Sequence, residues 1–82
     1  MKYNIEFKPR AVKDFETFPS KIQRRILAGI EKMSDNLSGD VKCLTDSTPE
    51  YRLRVGDYRV LFEIESRSII VYRIRHRREA YR

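Results

Sequence analysis

Apolar and polar residues alternate at Tyr3, Ile5 and Phe7, which predicts a short first strand ending before Lys8-Pro9. Pro9 suits the first turn of a helix, where its missing N–H costs nothing, and Val12 and Phe15 then fall three apart on one face. Pro19 breaks that helix, and Ser20 followed three residues on by Gln23 reads as a capping box opening a second one. In the second helix Ile22, Ile26, Leu27, Ile30, Met33 and Leu37 keep helical spacing while Lys21, Arg24, Arg25, Glu31 and Lys32 fall elsewhere, so it is the main core helix. Gly29 in its interior costs about 1 kcal/mol relative to alanine, which predicts close packing against the first helix or a strand.

From Ser34 to Glu50 no period is sustained, and Asp35, Asn36, Ser38, Gly39, Asp40, Asp46, Ser47 and Pro49 are loop formers, so this stretch reads as a connecting loop. Three strands follow, Tyr51 to Val55, Tyr58 to Glu65 and Ser68 to Arg75, separated by Gly56-Asp57 and by a turn near Ser66-Arg67. Gly-X is a favoured two-residue hairpin turn, so the first pair is antiparallel with a defined register. The order β-α-α-β-β-β predicts an α+β fold in which both helices cover one face of a mostly antiparallel sheet. With 82 residues, 40% of them hydrophobic, there is room for a single domain and a small core. Such a core supports roughly 3–5 kcal/mol of net stability, which points to a tight partner as part of how the protein persists.

The strands place their charges on one side. In Tyr51 to Val55, Tyr51, Leu53 and Val55 point one way and Arg52 and Arg54 the other; in the next strand Tyr58, Val60, Phe62 and Ile64 share a face, with Arg59, Leu61 and Glu63 opposite. If Gly56-Asp57 is the whole loop, Arg54 lies directly across from Arg59, a like-charge pair that destabilises a hairpin by about 0.2–1 kcal/mol and that a bound anion would compensate. With Ile70, Tyr72 and Ile74 as the core set of the last strand, Arg73 and Arg75 join the same surface. Ordinary solvated sheet faces mix glutamate and threonine with their bases; this one is dominated by arginine.

Net charge sharpens the picture. Residues 1–50 carry 9 basic and 8 acidic side chains, whereas residues 51–82 carry 9 basic and 4 acidic ones, and all nine of those bases are arginine. Arginine's planar fork suits phosphate and stays charged at any relevant pH, so the inferred partner carries phosphates. A membrane surface is not expected, because the arginines sit in strands and no basic amphipathic helix is available to lie on one. The single Cys43 cannot form an internal disulfide and MKYNIEFKPR has no apolar stretch to act as a signal peptide, which together predict a cytoplasmic protein. The lone Cys43 and lone His76 leave no cluster with metal-ligand spacing, so neither a metal nor a small-molecule cofactor is expected. The chain closes on His76-Arg77-Arg78-Glu79-Ala80-Tyr81-Arg82, where Tyr81 is placed to fold over the sheet, either stacking on a base or handling a proton, or else to pin the tail as an apolar anchor.

At these residues the sequence resembles the RelE branch of the RelE/ParE toxin superfamily. YRLRVGDYRVLFEIE followed by IIVYRIRHRREAYR is similar to that family's closing strands and tail, the most specific pieces being Gly56-Asp57-Tyr58-Arg59 and His76-Arg77…Tyr81. The resemblance implies a toxin of a type II toxin-antitoxin system. Its activity would be ribosome-dependent endoribonuclease cleavage of mRNA in the decoding site, by attack of the RNA's own 2′-hydroxyl to leave a 2′,3′-cyclic phosphate without a metal. It also implies neutralisation by a cognate RelB-like antitoxin. By the same resemblance Arg52 and Arg54 fall where the family often has lysines, Arg59 matches its central arginine, either Arg77 or Arg78 its late arginine, and Tyr81 its C-terminal tyrosine. Arg73, Arg75, Arg78 and Lys42 are the expected further RNA contacts.

Two rival readings use the same surface differently. A ParE-like toxin would act on DNA gyrase and needs no Arg77 and Tyr81 pair. A non-catalytic RNA-binding module would expose aromatic rings on its nucleic-acid face, whereas Tyr58, Phe62 and Tyr72 here belong to the expected core set.

Overall fold

Among the described residues seven elements form: β1 (Asn4–Phe7), α1 (Pro9–Glu16), α2 (Ser20–Met33), β2 (Asp40–Cys43), β3 (Tyr51–Val55), β4 (Tyr58–Glu65) and β5 (Ser68–His76). The computed structural model describes residues 2–44 and 49–76. One five-stranded sheet runs in the order β1-β5-β4-β3-β2, antiparallel except where β1 lies parallel to β5. Both helices pack on one face: Ala11, Ile26, Ile30 and Met33 meet Leu53, Val60, Phe62, Ile69, Val71 and Ile74 in a single buried cluster. This is the expected α+β architecture with a fourth strand added after the helices.

That strand, β2, lies inside the stretch read from sequence as a loop. Its four residues are too few to show a period, and only Val41 is even half-buried, because β2 is an edge strand paired on one side with β3. The chain reaches it by leaving α2 at Met33, short of Leu37; Asn36 and Leu37 both take left-handed backbone, φ +58° and +57°, which ends the helix and turns the chain. The expected capping box does not form either. Pro19 is the cap residue, so Ser20 is already helical, and the Gln23 side chain instead donates to the Phe15 carbonyl at 2.9 Å, tying α2 to the end of α1. In α1 the buried position is Ala11, with Phe15 half-buried and Val12 exposed; in α2 Leu27 is exposed as well.

Gly29 answers to β3. A Cβ there would stand 2.8 Å from Val55 Cγ2, closer than carbon atoms approach, so the glycine lets α2 settle onto the strand. The β3–β4 turn is Gly56-Asp57, with Gly56 at φ +58°, as a two-residue hairpin with glycine in first place requires.

The last strand departs from strict alternation. Leu61 pairs with Arg73 but Phe62 pairs with Val71, so Tyr72 is an extra residue, a β-bulge. The inward set of β5 is therefore Ile69, Val71 and Ile74, in place of the expected Ile70, Tyr72 and Ile74. Tyr72 instead lies beneath the Lys8 ammonium, 5.5 Å from the ring centre, and Ile70 lies opposite Glu63, outside the helix-side cluster.

Candidate nucleic-acid interface

The face of the sheet away from the helices is organised in rows, because residues paired across neighbouring strands point the same way. One row runs Asp40, Arg54, Arg59, Arg75, each paired with the next on strands β2, β3, β4 and β5. The neighbouring row runs Lys42, Arg52, Leu61, Arg73. Adjacent strands lie about 4.8 Å apart, so the backbones carrying Arg54, Arg59 and Arg75 span only about 10 Å. A third row, in which Glu63 pairs with Ile70 and Ile70 with Glu6, is acidic and apolar. The face is thus basic toward the β3–β4 hairpin and acidic toward the other end.

Each arginine is held differently. Arg54 is exposed, as is Lys42. The Arg52 side chain is only 12% exposed, and its Nη1 lies 3.9 Å from Asp40 Oδ1. Arg59 is 6% exposed and its Nη1 donates to the carbonyls of Gly56 and Tyr58, both at 3.1 Å, so the turn that sets the hairpin also orients the guanidinium. Those carbonyls supply compensation for the Arg54–Arg59 pairing that the sequence pattern assigned to a bound anion. Arg75 is half-buried. Arg73 ends its row with its guanidinium turned to α1, where Nε donates to Asp14 Oδ2 at 2.7 Å and Nη2 to Oδ1 at 3.2 Å. Arg77, Arg78 and Tyr81 lie outside the described residues.

Asp14 collects a third donor, the Ile74 amide at 3.0 Å. Burial pushes the Asp14 carboxyl up, but the Arg73 hydrogen bond, the Ile74 N–H and the charges of Arg73 and Arg75 together outweigh it and hold the group below its ordinary value.

On the helix side of the same hairpin a cleft of about 180 Å³ is lined by Ile22, Arg25, Val55, Asp57, Tyr58 and His76. The Tyr58 ring stands edge-on between Phe18 and His76, at centroid distances of 4.9 and 5.3 Å. Arg25 overhangs the turn, since a Cβ on Gly56 would lie 3.1 Å from its Nη2. Among the described residues no group of three or more His, Cys, Asp or Glu is arranged to hold a metal ion, and no helix is long and apolar enough to cross a membrane.

This sheet, with its arginine rows, has relatives. The chain matches the family model of the ParE toxin of type II toxin-antitoxin systems, parDE, over residues 5–81. It is 34% identical over 82 residues to toxin RelE3 of Methanocaldococcus jannaschii, with 94% of this chain and 93% of that one covered. The chain belongs to the RelE branch of the RelE/ParE toxins. The toxin's fold superposes with a TM-score of 0.76 on the crystal structure of the RelB-RelE antitoxin-toxin complex from Methanococcus jannaschii, at 34% identity over 93% of this chain and 94% of that one. The archaeal RelE-RelB complex from Pyrococcus horikoshii OT3 gives 0.75 at 25% identity, over 96% of this chain and 99% of that one. The RelBE2 complex from Mycobacterium tuberculosis shares the fold, with a TM-score of 0.80 at 21% identity over 93% and 99% of the two chains.

In this RelE-branch toxin, sequence reasoning located the arginine face and the Arg54–Arg59 register. It missed three contributors. Asp40 heads the first row from a strand that four residues could not announce. Asp14 takes Arg73 from a helix 59 residues away in sequence. Arg25 was read only as part of a polar helix face. For the last two no local signal exists, because their partners come from β5 and the β3–β4 turn.

Proposed function

We propose that this toxin is a ribosome-dependent endoribonuclease that cleaves mRNA in the ribosomal A site. The observation that carries the reading is the in-register row Arg54, Arg59, Arg75 beside Arg52 and Lys42, a concentration of phosphate-binding groups on one rigid sheet. In the reaction the RNA's 2′-oxygen attacks the adjacent phosphorus and the bond to the 5′-oxygen breaks, leaving a 2′,3′-cyclic phosphate and a 5′-hydroxyl. The transition state carries extra negative charge on pentacoordinate phosphorus, which a preoriented guanidinium stabilises more than it does the ground state. Arg59, fixed by the turn carbonyls, has that role together with Arg77, or Arg78 in its place. Arg52 and Arg54 hold flanking phosphates, and Lys42, Arg75 and Arg78 extend the grip on the backbone. Tyr81 acts either as general base that takes the 2′-hydroxyl proton or as the platform on which a nucleotide stacks, in which case that proton passes to solvent water. Arginine does not titrate at useful pH, so the leaving oxygen is stabilised as an anion and takes its proton from solvent. No step in this scheme calls on a metal or a small-molecule cofactor.

The toxin works in the cytoplasm beside a cognate RelB-like antitoxin. Relatives that superpose on it were crystallised with RelB, and an acidic segment ordered on binding would cover the arginines and raise the stability of a small core.

Induction of the wild-type chain and of an Arg59→Ala, Tyr81→Phe variant in a bacterium, with new 5′ ends mapped on translated messages, tests the reading. Growth arrest with in-frame cuts that the variant lacks is the expected result. Arrest with intact messages and DNA damage would overturn it in favour of a gyrase-directed toxin, the reading that the match to the ParE family model favours.

A further inference from the structure

The β5 bulge decides which way Arg75 points. From Val71, which faces the core, strict alternation would send residues 73 and 75 inward and residue 74 outward. The extra residue at Tyr72 reverses this: Ile74 is 1% exposed in the core and Arg75 is carried to the open face opposite Arg59. Bulges interrupt the ladder and leave backbone groups to be satisfied elsewhere. Here β1 ends opposite Val71, so among the described residues no strand lies on that side of β5 beyond it. Asp14 stands in that gap, accepting from the Ile74 N–H at 3.0 Å and from Nε and Nη2 of Arg73. One carboxylate therefore binds two consecutive residues immediately after the bulge.

From this geometry we infer that Asp14 is a positioning residue of the phosphate-binding face: by clamping Arg73 and Ile74 it holds the Tyr72 bulge and so keeps Arg75 in the row beside Arg59. The functional consequence rests on the RNA-cleaving reading, whereas the clamp itself does not. Arg73 thereby serves the face from behind it, as the clamp's cation. Asp14 touches no substrate.

The test exploits the register. Deleting Tyr72 would leave Val71 opposite Phe62 and Arg73 opposite Leu61 in a regular ladder, with Ile74 still inward and Arg75 still outward, so that no bulge remains to be held. Four proteins are compared: wild type, Asp14→Ala, the Tyr72 deletion, and the deletion combined with Asp14→Ala. The readouts are cross-strand nuclear Overhauser contacts between residues 59 and 75, and the salt dependence of binding to a fluorescein-labelled single-stranded RNA oligonucleotide. Expected is that Asp14→Ala loses the 59–75 contact and about 0.7 from the slope of log K against log salt, the share of one phosphate contact on a single strand. The combined variant regains both. A slope and contact unchanged in Asp14→Ala would overturn the inference, and so would a combined variant as defective as Asp14→Ala. Asp14→Asn, which keeps an oxygen for the Ile74 N–H but loses the charge on the Arg73 side of the clamp, provides a milder variant if Asp14→Ala does not fold. Contact and slope are expected to weaken together and to be regained with the Tyr72 deletion, and a slope that falls while the contact stays at wild-type strength would overturn the inference. Because neither readout involves cleavage, a toxin that leaves messages intact would remove the nuclease reading while these measurements still decide the clamp.

Discussion

Arg59 lies directly opposite Arg54 in the β3–β4 hairpin, and its guanidinium is drawn back onto the carbonyls of Gly56 and Tyr58 at the turn between them. Two like charges are thus kept side by side on a buried-to-exposed gradient, Arg59 at 6% exposure and Arg54 open to solvent.

Replacing Arg54 by threonine removes the like-charge pair and places a β-branched residue in a strand, so the hairpin gains stability. The expected gain is a few tenths of a kcal/mol, within the roughly 0.2–1 kcal/mol range of cross-strand pairs. Urea unfolding would show a raised midpoint with an unchanged slope, and the same variant would bind RNA more weakly. A lowered midpoint would mean that the attraction between Arg54 and its other neighbour, Asp40, dominates.

Gly29→Ala should destabilise the protein even though alanine is the better helix former by about 1 kcal/mol. The added Cβ would meet Val55 Cγ2 at 2.8 Å, and valine, stiff at χ1, cannot swing aside. Overpacking of this kind costs about 1–3 kcal/mol, so the net loss is on the order of 1 kcal/mol. Combining Gly29→Ala with Val55→Ala relieves the clash, and a double-mutant cycle in urea would show strongly non-additive effects.

The Asp14 carboxyl titrates below its ordinary value of 3.8 in the folded protein. Its contribution to stability is therefore complete above that ordinary value and is lost as the pH falls through it toward the lower folded value. Thermal unfolding between neutral pH and the acid limit should show a decline over this window that is shallower in Asp14→Asn. An identical decline in both proteins would place the acid sensitivity in other carboxylates.

Lys42 is exposed on the edge strand, in line with Arg52. Lys42→Ala should leave the unfolding free energy within about 0.5 kcal/mol of wild type, as surface substitutions do. It should also flatten the salt dependence of single-stranded RNA binding by about 0.7 in slope. An unchanged slope would end the basic surface at β3.

What the chain determines by itself are its local periods and its short-range turns. Alternation located β1, β3 and β4, a two-residue Gly-Asp turn set the β3–β4 register to the residue, and the arginines of one strand parity announced a basic sheet face. The resemblance to RelE toxins rested on those same residues. What only the tertiary structure decided depends on partners distant in sequence. β2 exists because β3 offers an edge to pair with, and its four residues have no period of their own. The β5 bulge breaks the alternation from which faces are read, and it is satisfied by a carboxylate on α1 that no local pattern links to it. Arg73 and Arg75 look equivalent in the sequence; one closes a clamp and the other joins the row, because an extra residue and a helix side chain meet at the point where β1 ends.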